Sequence, residues 1–106
     1  MIVALARLSL YIPHSHSLKE KRAVVRKLVD RVQARFKLHM AEVGGQDTWQ
    51  RAVLGFALVG SDGQTVSHMA DEVLRAIQGM AEGELTVERE MVHFGDAGTE
   101  GQGGGG

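Results

Sequence analysis

The side chains with the most chemistry to offer are concentrated in residues 14–37, HSHSLKEKRAVVRKLVDRVQARFK, which hold eight of the twelve Lys and Arg residues. Cations three and four residues apart along a helix form rows that can neutralise phosphates and release their counterions. Lys19, Arg22, Arg26, Lys27, Arg31 and Arg35 are therefore the candidate nucleic-acid contacts, set against the plainer reading of a solvated helix face. At the start of the stretch, His14, Ser15, His16 and Ser17 precede the first helical turn, where outward N–H groups can hold a phosphate or carboxylate. Ordinary capping by Ser17 accounts for the same residues. A second polar cluster, Gln46, Asp47, Trp49, Gln50 and Arg51, has the composition of a partner-binding hot spot. Its structural alternative is an Asp47–Arg51 ion pair with Trp49 as a lid over the sheet's end.

Other chemistries find little support. The five histidines, at 14, 16, 39, 68 and 93, come from unrelated segments, and no carboxylate stands at ligand spacing beside His14 and His16, so no metal site is expected. The chain has no Cys, which excludes disulfides and thiol chemistry. Paired catalytic carboxylates, a Ser-His-Asp set and a Gly-rich phosphate loop are all missing, so neither a cofactor nor an enzymatic activity is expected.

The net charge of −1 hides an asymmetry. Residues 1–53 carry ten basic and four acidic side chains, whereas residues 54–106 carry two basic and nine acidic. Such a division builds a positive face for nucleic acid, or lets opposite faces of neighbouring molecules attract. The 106 residues suit one domain, 1–94, followed by a disordered Gly-rich tail, 95–106. Apolar runs are too short for a membrane span and Met1 leads directly into a strand-like pattern, so a cytoplasmic protein without membrane contact is expected.

The elements that position these residues follow from periodicity. Ile2, Ala4, Ala6, Leu8, Leu10 and Ile12 alternate with Val3, Leu5, Arg7, Ser9 and Tyr11, which predicts a strand over 2–12 ended by Pro13. Ser17 and Glu20 read as a capping box opening a helix whose Leu18, Val25, Leu28, Val29, Val32 and Phe36 share one face. On the wheel, Lys19, Arg22 and Arg26 flank that stripe on one side and Lys27, Arg31 and Arg35 on the other. Short strands are predicted over 38–43 and 51–59, joined by a hairpin-like connection, then a helix over 64–80 and a strand over 85–94. On that last strand Glu88 and Glu90 alternate as solvent-facing residues do.

The order β-α-β-β-α-β predicts an α+β ferredoxin-like fold: a four-stranded antiparallel sheet in order 4-1-3-2, with both helices on one face. The other face would expose Val3, Leu5, Val53, Ala57 and Val59 beside Arg7, Ser9 and Tyr11, which suggests a homodimer through it. Gly55-Phe56-Ala57 resembles the centre of an RNA-recognition-motif signature, but the alternation turns Phe56 into the core, away from any stacking role. An acylphosphatase-like activity would require a Gly- and Arg-bearing cradle after the first strand, where this chain has PHSHS.

The segments SLKEKRAVVRKLVDRVQARF and AEVGGQDTWQRA, followed by an apolar strand and an SD turn, resemble the YlxP-like family of small bacterial proteins over about residues 1–94. The most specific matches are 17–22, Gln46-Asp47 and Trp49-Gln50-Arg51. The resemblance implies a ferredoxin-like fold and, because the family's genes often lie among those for translation initiation and ribosome maturation, a role near RNA or the ribosome. It implies no reaction. Gly44-Gly45 stands where relatives often carry polar residues, and the glycine tail is an addition. The leading expectation is a non-enzymatic binding protein that meets RNA or the ribosome through the first helix. The alternative is a dimeric structural or regulatory module that binds a protein or a small anionic ligand.

Overall fold

The protein is described by a computed structural model covering residues 1–95; the remainder of the expected tail, 96–106, lies outside the described residues. The chain runs β1 (Ile2–Tyr11), α1 (Leu18–Phe36), β2 (Met40–Gly44), β3 (Arg51–Gly60), α2 (Gly63–Met80) and β4 (Glu84–His93). The strands form one antiparallel sheet in the order β2-β3-β1-β4, as the sequence pattern requires.

The period-two alternation of β1 turns Ile2, Ala4, Ala6, Leu8 and Leu10 toward the helices, with Ile12 buried just past the strand. β3 adds Ala52, Leu54, Phe56 and Leu58, so Phe56 is a core residue. The helices close this face with Val25, Leu28 and Val32 from α1 and Val66, Ala70, Val73, Leu74 and Ile77 from α2. Leu18, Val29 and Phe36 sit only half-buried at the margins of the α1 stripe.

Both helices start at side-chain caps. Ser17 Oγ accepts the Glu20 N–H (3.1 Å), and Asp62 accepts the Thr65 N–H (2.9 Å). The reciprocal arm of the α1 box differs from the usual pattern: Glu20 Oε1 accepts the N–H of His16 (2.7 Å), one residue before the cap. α1 ends at Lys37, a non-glycine residue with φ 56°, whose N–H donates to Gln33 O.

β2 begins two residues later than expected. Gln33 Oε1 takes the Met40 N–H (2.9 Å), which ties the strand to α1 at that point. The β2–β3 register shifts between Glu42 and Gly44, a bulge that leaves Val43 exposed. Gly83, before β4, is a position where close approach requires glycine, because a Cβ there would collide with the Tyr11 carbonyl.

Candidate functional site

The cations of α1 occupy two different surroundings. Lys19, Arg22 and Arg26 follow the flank marked by Gln33, beside β2. Lys27, Arg31 and Arg35 face α2, where Lys27 Nζ stands 3.4 Å from Glu82 Oε2 and the Arg35 guanidinium lies 5.0 Å from the Phe36 ring centroid. Arg31 borders a shallow recess with Met80 and Glu82. Elsewhere Arg7 pairs with Glu88 (2.6 Å) and Arg89 with Asp71 (2.6 Å), while Arg51 and Arg75 are exposed without an ion pair among the described residues. Among the described residues, Lys19, Arg22, Arg26 and Arg31 are exposed and make no ion pair. Lys19 and Arg26 are separated by about 10 Å along the helix axis at 1.5 Å per residue. Lys19, Arg22 and Arg26 thus make a cationic row on the β2 side of a rigid element, with Arg31 on its α2 side.

The helix start is less open than its composition suggests. Ser17 Oγ is engaged with Glu20, the Glu20 carboxylate holds the His16 N–H, and Ser15 is buried with its hydroxyl donating to Ser17 O (3.2 Å). At 14–17, where a phosphate or carboxylate site is an expectation, the Glu20 carboxylate stands beside the helix start, and its charge would oppose an incoming anion.

A residue absent from the sequence-derived set connects helix and loop. Lys21 sits in the buried row Lys21, Val25, Leu28, Val32 with 1% of its surface exposed. Its Nζ donates to the carbonyls of Gly45 (2.6 Å), Arg51 (3.2 Å) and Gln46 (3.4 Å). Glu42 Oε2 lies 3.5 Å away, near enough for charge attraction but without a hydrogen bond to any group. Gly45 has φ 74°, and its carbonyl also accepts the Thr48 N–H (3.1 Å), so this turn is wound around the ammonium.

The loop's own side chains divide in role. Gln50 is structural: its Nε2 donates to Pro13 O (2.9 Å) and Ser15 O (3.3 Å), and its carbonyl accepts the Ile12 N–H. Gln46, Asp47 and Arg51 are exposed, and the anticipated Asp47–Arg51 ion pair does not form; the Arg51 carbonyl, not its guanidinium, does the bridging. Trp49 is 55% exposed and is no lid. With Asp47, Thr48 and Gln50 it borders an open concavity of about 320 Å³.

Residues 3–89 match the family described as "Protein of unknown function (DUF503)". The chain belongs to that family. It is 38% identical over 88 residues to "Uncharacterized protein YlxP" of Bacillus subtilis (strain 168), covering 83% of this chain and 96% of the relative. Among solved structures, the "De novo designed protein Foldit4" aligns with a TM-score of 0.52 at 13% identity, over 87% of this chain and 96% of that one. That likeness is one of fold alone.

On the far side of the DUF503 sheet, Leu5, Tyr11, Val43 and Val59 are exposed, and the ion pair Arg7–Glu88 crosses from β1 to β4. Val43, His39, Gly55, Ala57, Leu5, Arg7 and the acids of β4 border a recess of about 740 Å³. Two carboxyls, neither on the α1 face, are held below the usual carboxylate range. Asp62 is lowered by its hydrogen bonds from the Thr65 hydroxyl and N–H, and Asp71 chiefly by the hydrogen bond from Arg89. Among the described residues no three His, Asp or Glu side chains converge as a metal site requires, and no helix is long and apolar enough to cross a membrane.

Proposed function

We propose that the protein is a non-enzymatic cytoplasmic binding protein that contacts the phosphate backbone of RNA through the outer face of α1. The observation that carries this reading is the contrast among the cations. Arg7, Lys27 and Arg89 face carboxylates and Lys21 is buried. Of the exposed cations without an ion pair among the described residues, Lys19, Arg22, Arg26, Arg31 and Arg35 share one helix with Lys37 at its end, while Arg51 on β3 and Arg75 on α2 stand singly. A helix face holding several cations at fixed spacing gives affinity without base readout, so recognition of RNA shape and backbone is the expected mode. Structured ribosomal RNA is the first probe to use.

Such binding is salt-dependent in a calculable way. Four phosphate contacts give a slope of log K against log salt of roughly −3, between the single-strand and duplex limits. Fluorescence anisotropy of labelled RNA across a salt series measures it. Absence of binding at low salt contradicts the proposal.

The exposure of Trp49 favours a second reading, a protein or small anionic ligand held by the 46–51 loop. Its binding to a protein would survive salt that abolishes phosphate contacts, and substitution of Trp49 rather than Arg22 would remove it.

A further inference from the structure

The two helices pack on one face of the sheet, and the opposite face leaves Leu5, Val43 and Val59 exposed. We infer that a second copy of this chain covers it, packed face to face about a twofold axis running along the strands between β1 and β3.

The inference rests on what stands at each level of the sheet. Register sets Leu5 beside Ala57 and Arg7 beside Gly55. On the open face, then, β1 carries the large side chains at these two levels and β3 the small ones. A twofold along the strands exchanges β1 with β3, and so lays the second copy's Leu5 over Ala57 and its Arg7 over Gly55. The recess of about 740 Å³ is the hole, and Leu5 and Arg7 are the knobs.

The same axis exchanges β2 with β4. His39 precedes Met40, which pairs with Phe56; His39 is therefore level with Ala57, with Leu5 and, through β1, with Glu90. Each copy's His39 then meets the other's Glu90, a ring N–H facing a carboxylate. Glu88 enters the interface already paired with Arg7 at 2.6 Å, so no bare charge is buried there. A twofold across the strands would instead stack β4 on β4, setting the Glu88 and Glu90 rows of the two copies against each other.

The area is sufficient for a weak dimer. Three strands of ten residues and one of five, spaced ~4.8 Å apart, make a face of roughly 550 Å². Two copies then bury on the order of 1,100 Å², just below the stable range and above the roughly 1,000 Å² that a biological interface needs.

Sedimentation velocity of the full chain from low-micromolar to sub-millimolar concentration tests the inference. The mass should rise from 11.5 kDa toward twice that value. Gly55→Leu should remain at 11.5 kDa. A Cβ at Gly55 meets Val43 and the Ala6 carbonyl at 3.5 and 3.6 Å, ordinary contact, so the side chain starts without a clash and projects into the hole. Leu5→Asp, at a residue 41% exposed, is an independent disruptor, and thermal melts establish that both variants are folded. Because the chain has no Cys, single cysteines read the axis. A short bismaleimide should join His39→Cys chains to Glu90→Cys chains in a mixture and join neither to itself, since like positions lie about three strand spacings, ~14 Å, apart across the sheet. A parent that stays monomeric overturns the inference, as does a monomer whose recess takes up an apolar dye instead. So does a parent dimer untouched by both folded disruptors. Self-linking of Glu90→Cys chains overturns the axis.

Discussion

Lys21 Nζ lies 2.6 Å from the Gly45 carbonyl oxygen, and this contact fastens α1 to the turn that carries Trp49. Two further carbonyls and the Glu42 carboxylate complete the surroundings of the ammonium, which has 1% of its surface exposed. A buried cation is stable only when its donors are satisfied and a counter-charge is near, and both conditions hold here.

Replacing Lys21 by Met keeps the volume and removes the donors. The carbonyls of Gly45, Gln46 and Arg51 lose their side-chain donor, and Glu42 becomes a half-buried charge without a partner. Lys21→Met should destabilise the fold by about 3–5 kcal/mol, as removal of one member of a buried pair does, measured by urea unfolding. Stability equal to the parent's would show that the ammonium contributes nothing net.

Gln50 and Trp49 are neighbours with opposite expected effects. Gln50→Ala loses the bonds to Pro13 and Ser15 that brace the β1–α1 connection, and should cost about 1 kcal/mol. Trp49→Ala removes an exposed ring and should leave stability within about 0.5 kcal/mol of the parent. Paired denaturation curves distinguish the brace from the free surface.

Leu28 is 4% exposed within the core formed by the sheet and both helices. Leu28→Ala should cost about 2–5 kcal/mol through transfer loss and the cavity left behind. A thermal midpoint equal to the parent's would contradict the assignment of the buried face of α1.

Acid should weaken the fold through Asp71 and Asp62. Each carboxyl is depressed in the folded state, the first mainly by the Arg89 hydrogen bond and the second by Thr65, so each binds a proton less readily folded than unfolded. Their contribution is therefore present above the ordinary carboxylate range, near pH 4, and is lost as the pH falls through the depressed folded values. Arg89→Met removes the largest cause acting on Asp71. Denaturation midpoints from neutral to about pH 2.5 should show a shallower acid limb in that variant.

Periodicity carried most of the fold. The alternation from Ile2 to Ile12, the α1 stripe through Val25, Leu28 and Val32, and the spacing of Val66, Ala70, Val73 and Ile77 are each fixed by which side chains must leave water. Lys21 is a different matter. Its position in the stripe, four residues before Val25, is visible in the sequence as a cation among apolar residues. Its partners come from a turn 24 to 30 residues away, which no local pattern reveals. Asp47 and Arg51 are spaced for an ion pair, but the turn is organised by backbone carbonyls around Lys21, and their side chains remain in solvent. Arg89 was legible by elimination: if Glu88 and Glu90 face out, Arg89 faces the helices, where it meets Asp71.

The central claim is that the unpaired cations of α1 form the RNA-contacting surface, and charge reversal tests it most directly. Arg22→Glu, Arg26→Glu and Arg31→Glu, combined in one chain, change exposed side chains and should leave the thermal midpoint close to the parent's. Anisotropy of labelled structured ribosomal RNA is then measured at low and physiological salt for both proteins. The account predicts that the parent binds at low salt and weakens as salt rises, while the folded reversal variant does not bind. Equal binding by the two proteins, or none by the parent at low salt, would contradict it.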